Sequence, residues 1–264
     1  MKTRWYQKLL DSWKYYKTEK RAVLITYLIL RLLVVTALIL SLLTGNYDSA
    51  FICVLVLVLF LLPAFLEGRF SLELPSPLEI IIIVFIFAAE ILGELSNYYV
   101  RYPHWDTLLH TTWGFLCAAV GYSLVDILNR TERFKFSLSP LFLAIVAFCF
   151  SMTIGVIWEF FEFSMDRLLQ LDMQKDTVIH AFSSVTLDAS LQNIPIRIEN
   201  IESVLVNGEE LGLGGYLDIG LYDTMEDLFV NFLGALVFSI VGFFDAKTKG
   251  GSRLAAGLVP RMRR

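Results

Sequence analysis

Charge is scarce in this chain: only 18% of its 264 residues are Asp, Glu, Lys or Arg, against about a quarter in soluble domains. Histidine occurs three times and cysteine three times. Cys53, Cys117 and Cys149 all fall inside apolar segments, a placement that suits small buried hydrophobes and excludes a disulfide framework or a cysteine metal motif. There is no His-Glu-x-x-His and none of the Glu-x-x-His pairs of di-iron bundles. No Ser or Cys stands beside a base as a nucleophile would. Outside the terminal arms no Arg/Lys run is interleaved with aromatics, which excludes nucleic acid as a partner. The N-terminus lacks the pattern of a cleaved signal: its first apolar run starts only near Ala22 and has no small-x-small exit. We read that run as a retained span.

Apolar residues are abundant instead, 56% of the chain, gathered into long segments. Counted against the ~20 residues that a hydrocarbon core requires, they predict an all-α polytopic membrane protein with six transmembrane helices. The spans are Ala22–Leu43, Ala50–Leu66, Leu78–Leu95, Thr107–Leu128, Leu138–Leu169 and Met225–Phe244. The fifth would be about 48 Å long as a helix and must tilt or project. Residues 1–21 carry seven basic side chains among Trp5, Tyr6, Leu9, Leu10 and Trp13, the pattern of an interfacial amphipathic helix held by anionic lipid. Residues 22–169 then hold spans one to five. Residues 170–222 form an extramembrane insert, residues 223–246 the sixth span, and residues 247–264 a basic tail. In the insert, Ile194, Ile196 and Ile198 alternate with polar residues, and Val204-Leu-Val206 runs into Asn207-Gly208, a hairpin signal.

Basic residues set the orientation. Most of the 22 lie in the N-terminal arm, after spans two and four (Arg69, Arg130, Arg133, Lys135), or in the tail. Both termini are therefore expected in the cytoplasm, with membrane lipids as partners and the insert outside.

In this topology the intramembrane polar residues gather at one depth. Glu90 and Glu94 end span three on the outer side, and Asp106 and His110 open span four there. Glu159, Glu162 and Asp166 close span five, at helical spacings that put them on one face. Asp223, Asp227 and Asn231 open span six. The inner halves show no comparable set, and Arg31 stands mid-span as a candidate counter-ion. Local roles compete with a site: Asp106 and Asp223 suit helix caps, Asp166 beside Arg167 suits an exposed helix end, and the rest could be polar links between helices. Against that, ionisable residues inside a membrane are costly and mark functional sites. Residues 105–118 align without gaps on residues 222–235, sharing Asp, Thr, Phe, Leu and Ala and setting His110 against Asp227. Spans three–four and five–six thus have the look of parallel repeats. Gly114, Gly121, Gly155 and Gly234 are expected at close helix contacts, and His104 and His180 in solvent.

Several carboxylates with one imidazole suit a hard or borderline divalent cation. Glu159, Glu162, His110 and Asp227 are the candidate ligands and catalytic groups, with Glu90, Glu94, Asp106, Asp166, Asp223 and Asn231 in support. The pattern Trp158-Glu-Phe-x-Glu162, Asp166, then Leu171-Asp-Met-Gln-Lys-Asp176, then Asp223-Thr-x-x-Asp-Leu-x-x-Asn231-x-x-Gly-Ala resembles the YjdF-like bacterial inner-membrane proteins. Asp106-Thr-x-x-His110 and Gly114 fit the same resemblance, and the span-six end is more loosely similar to VanZ-like proteins. The likeness implies topology and a polar belt, and no reaction. Three classes stay open: an outward-facing, metal-dependent site acting on a lipid or lipid-linked envelope substrate, a proton-coupled carrier, and a non-catalytic sensor or scaffold.

Overall fold

The structure is a computed structural model that describes residue 18 and residues 20–70, 72–130, 138–248 and 257–262. The expected interfacial helix over 1–21 and much of the tail lie outside the described residues. Among the described residues the chain is mostly helical, with a few short strands and five helical stretches long and apolar enough to cross a membrane.

Helix α1 (Arg21–Leu43) buries Val23, Tyr27, Val34 and Ser41, spacings of four and seven that define one stripe. Its other faces leave Leu32 68% and Leu43 79% exposed, which water would oppose and lipid does not. The stripe packs on Cys53 and Val56 of α2 (Tyr47–Leu59), whose first turn is capped by the Asn46 side chain accepting from Ser49 N–H at 3.1 Å. The ladder breaks at Phe60–Leu61, before Pro63, which has no N–H to donate. It resumes as α3 (Leu62–Phe70), and the pair counts as one candidate span, Tyr47–Arg69.

The expected span Leu78–Leu95 takes two geometries. Helix α4 (Ser76–Phe87), with Pro77 in its first turn, passes into a π-helical segment, Ala88–Leu95. Ser96 N–H closes that segment on the carbonyl of Ile91, five residues back, and Asn97 ends it at φ 57°. A Cβ on Gly93 would stand 2.4 Å from the Tyr99 ring, so the glycine admits the return of the short helix α5 (Tyr98–Arg101). Neither piece alone reaches span length, so the described residues hold five candidates where the sequence predicts six. Helices α6 (Trp105–Arg130), α7 (Pro140–Leu169) and α8 (Leu221–Lys247) supply the remaining three. At 30 residues, α7 extends about 45 Å.

Two compact units divide the chain. One comprises residues 1–154 with 230–264, the other residues 155–229. In the first, Ala118, Ala119 and Tyr122 of α6 pack with Ala235 and Phe238 of α8 and with Val259. Val259 belongs to a tail segment that returns, so Arg261–Met262 (β8) pairs antiparallel with Leu72–Glu73 (β1). The last residues are therefore not wholly a free basic tail.

The second unit contains three antiparallel pairings. Thr177–Ile179 (β2) pairs with Tyr216–Asp218 (β7), and Phe182–Ser184 (β3) with Ile196–Ile198 (β4). Leu205–Val206 (β5) turns through Asn207 and Gly208, both at positive φ, into Glu209–Glu210 (β6), as a type I′ turn demands. His180, expected in solvent, contacts the Ile201 carbonyl through Nδ1 at 3.0 Å.

Asp188 organises the loop before β4. Its carboxylate accepts from the Ser190 hydroxyl and from the N–H groups of Ser190, Gln192 and Ile194. These bonds, led by the Ser190 side chain, hold its pKa down to about 2. A depressed carboxylate pKa stabilises above its ordinary value and loses that contribution as pH falls through the folded one. The loop is therefore expected to hold from neutral pH down to about 4 and to loosen towards pH 2. Asp188→Asn should reproduce the loosening at neutral pH: amide exchange at Ser190, Gln192 and Ile194 rises roughly tenfold. Unchanged exchange there would show that the hydrogen bonds do not hold the loop.

Candidate functional site

Within residues 155–229 the end of α7 and the start of α8 bring three carboxylates together. Glu159, Glu162 and Asp227 each place an oxygen within 4.8 Å of the others, and all three are buried. Only 5%, 7% and 3% of their surfaces remain exposed. The i, i+3 spacing of Glu159 and Glu162 turns both to one side of α7. Trp158 Nε1 donates to Glu162 Oε1 at 2.8 Å, fixing that side chain, while the Trp158 ring lies 5.3 Å from Phe161. Two carboxylates at 4.8 Å repel by about 3 kcal/mol at an effective dielectric of 20. Such a group is stable only if a proton or a cation offsets the charge. Three oxygen donors without sulfur suit a hard divalent cation.

The remaining acids of this unit build the loop beyond α7. Asp166 accepts from Met173 N–H at 2.6 Å and Gln174 N–H at 2.9 Å. Its neighbour Arg167 lies over the Phe163 ring, so Asp166 is a loop anchor and not an exposed helix end. Asp223 accepts from Lys175 N–H at 2.8 Å, and Gln174 reaches the Thr224 hydroxyl. Helix α8 begins at Leu221, and the capping expected of Asp223 falls to Asp218, which accepts from Tyr222 N–H at 2.9 Å. Asp176 has its pKa raised by partial desolvation and by the charges of Asp172, Asp218 and Asp166. The Leu171–Asp176 stretch is thus stitched to both helices that carry the carboxylates.

The other predicted residues lie in the larger unit. Asp106 is the second residue of α6, not its cap, and its Oδ1 stands 3.5 Å from His110 Nε2. Glu90 is half-buried and Glu94 exposed on the π-helical segment. Arg31 lies over the Tyr27 ring at 4.9 Å. Asn231 is 1% exposed and sits where α6 and α8 touch: a Cβ on Gly114 would fall 2.2 Å from its carbonyl oxygen. Those are matched positions in the internal alignment, so the two copies meet at equivalent residues. Ser151 of α7 donates to the Gly114 carbonyl at 2.7 Å, closing a three-helix node.

Two buried polar groups escaped the sequence reading. Lys20 Nζ donates to Glu67 Oε1 at 2.9 Å, Glu79 Oε2 at 2.7 Å and the Leu74 carbonyl at 2.9 Å. Burial works to lower the lysine pKa, and the two carboxylates outweigh it and raise it. The Tyr122 hydroxyl donates to Asp245 Oδ2 at 3.2 Å, with the acid 1% exposed. Of these charged residues only Glu79 falls inside a predicted span; Lys20, Glu67 and Asp245 stand just beyond the ends of Ala22–Leu43, Ala50–Leu66 and Met225–Phe244. Glu79 was detectable, since it interrupts the apolar run Leu78–Phe87 one residue in. Lys20 was hidden among the other basic residues of the arm.

Comparison with known proteins fits this picture. The family model described as "Predicted membrane protein (DUF2238)" matches residues 25–248, from α1 to the end of α8. The chain belongs to the DUF2238 family. A Thermotoga maritima protein described as an uncharacterized protein is 28% identical over 97 residues, 37% of this chain and 48% of that relative. The match therefore spans about half the relative's length. No solved structure matches the chain. The family description agrees with the candidate spans and carries no reaction with it.

Proposed function

We propose that this DUF2238 protein holds a divalent cation on Glu159, Glu162 and Asp227, at an outward-facing site in the bacterial plasma membrane. The observation that supports the reading is the approach of three buried carboxylates within 4.8 Å. The proposed topology has six spans with both termini cytoplasmic. It counts the α4–π segment, 20 residues from Ser76 to Leu95, as long enough to cross, and it rests on the placement of basic residues. The likeness to YjdF-like proteins covers nearly the same residues as the family match. The substrate class that fits a cation site on lipid-flanked helices is a lipid or lipid-linked envelope precursor. There the cation would polarise a phosphoryl or carbonyl oxygen, with the loop anchored by Asp166 and Asp223 as one wall.

The test is metal content and thermal stability of the purified parent, Glu159→Gln and Glu162→Gln after incubation with Mn²⁺ or Zn²⁺ and desalting. The parent is expected to retain about one equivalent and each variant much less, since each loses one of three anionic donors. Added metal at a hundred times its dissociation constant should stabilise the parent by about 2.7 kcal/mol. In chelator the order reverses, because neutralising one acid relieves repulsion, and the variants melt a few degrees higher than the parent. Parent protein that retains no metal, or variants that retain as much, would overturn the cation site. A stability gain in chelator with no metal in the parent would favour acids that share a proton, the carrier reading.

A further inference from the structure

Helices α7 and α8 leave a groove between them in the larger unit. It is lined by Leu141, Ile145 and Phe148 on one wall and by Leu236, Ile240, Phe243 and Phe244 on the other, with a volume of about 400 Å³. Ala144 and Ser239, both buried, form its floor. We propose that this groove binds one acyl chain of an anionic phospholipid, with the lipid phosphate on Lys247.

Three features select that occupant. First, both walls belong to candidate membrane spans, and Leu141, Ile145, Ile240 and Phe244 are between 49% and 59% exposed. In a bilayer the groove opens on hydrocarbon. Second, it is short. Leu141 to Phe148 advances about 10 Å along a helix, and the edge-to-face pair of Phe148 with Phe232, centroids 5.2 Å apart, stands at that end. A further transmembrane helix needs an apolar seam near 30 Å long. An acyl chain can simply end. Third, charge marks the opposite end. Lys247 is exposed, and its Nζ lies 5.7 Å from the centre of the Phe243 ring that lines the groove. A lysine beside an apolar slot is the complement of an anionic headgroup on its chain. The inference is independent of the cation site, which lies in the other unit.

The test is native mass spectrometry of the full chain in detergent, titrated with dioleoyl phosphatidylglycerol, dioleoyl phosphatidylcholine or glycerol phosphate. The parent is expected to retain the anionic lipid about fivefold better than the zwitterionic one, the contribution of one lysine near a headgroup. Lys247→Gln should abolish that preference and still retain both lipids. Ala144→Phe, which fills the floor, should lower retention of both. Glycerol phosphate alone should not bind. A parent without headgroup preference, or Lys247→Gln with the preference intact, would overturn the proposal. So would Ala144→Phe if it changed the oligomeric mass and left lipid retention alone, because the groove would then receive a second copy. Lys247 is exposed, so its substitution tests the headgroup even where Ala144→Phe fails to fold.

Discussion

Replacing Lys20 with methionine is expected to destabilise the larger unit by about 3–5 kcal/mol. Lys20 is 4% exposed, and the Glu67 and Glu79 side chains it bridges are 9% and 0% exposed. The three come from the start of α1, from α3 and from the first turn of α4, so the ammonium ties three segments together. Methionine keeps the stem and removes the charge, leaving two carboxylates to face each other without their shared donor. The Leu74 carbonyl loses its bond as well. Glu67 keeps Leu74 N–H at 2.9 Å, which does not offset a buried negative charge. A loss of this size is a large fraction of the 5–15 kcal/mol that stabilises a typical protein. Denaturant unfolding of the parent and of Lys20→Met in the same detergent measures it. The triple variant Lys20→Met, Glu67→Gln, Glu79→Gln should recover much of the loss, because removing a buried ion group entirely costs far less than breaking it. A single-variant effect below about 1 kcal/mol, the value of an exposed pair, would show that water reaches the group. The pH dependence has a definite sign. The lysine pKa is raised above its ordinary 10.5, so its contribution is complete at neutral pH and is lost as pH rises past that value.

Five of the six expected spans reappear as candidate spans because lipid imposes a crude rule, an apolar run of fixed length, which those helices meet to within a few residues. What the rule misses is how a helix is built inside the run. The ladder breaks before Pro63, which has no N–H to donate, and α4 passes into a π-helical segment whose Gly93 lies against Tyr99, features that hydropathy does not register. The β5–β6 hairpin was announced by Asn207-Gly208 and β4 by alternating isoleucines, whereas β2, β3 and β7 carried no such signal. The Asp188 loop, by contrast, had no signal, since its bonds are local and its partners are backbone amides. At the candidate site, spacing placed Glu159 and Glu162 on one face of α7, and the structure adds Asp227 beside them within the same unit. Spacing could not separate those from Asp166 and Asp223, equally acidic and as near in sequence, which hold loop amides instead. Burial separates them, and burial is a property of the packed helices.

The second large effect concerns Gly234. A Cβ at this position would lie 2.0 Å from the Thr111 carbonyl oxygen and 2.9 Å from Phe115 N. Both atoms are backbone of α6, so no rotamer change relieves the overlap, and the helices must separate. Separation opens the packing of Phe115 on Phe238, whose rings are 5.1 Å apart, and of Ala118, Ala119 and Ala235. Gly234→Ala is therefore expected at or beyond the upper end of the 1–3 kcal/mol typical of overpacking. Gly234→Val should leave little folded protein. Gly68→Ala in α3 is the matched control. It has no atom within 4 Å of the added carbon and should stabilise by about 0.5–1 kcal/mol through helix propensity alone. Unfolding of the two alanine variants side by side separates contact from propensity. If Gly234→Ala cost no more than Gly68→Ala, then α6 and α8 would not touch backbone to backbone. The meeting of the repeat copies at Gly114 and Asn231 would then lose its physical basis, because that contact and the one at Gly234 bring the same two helices equally close.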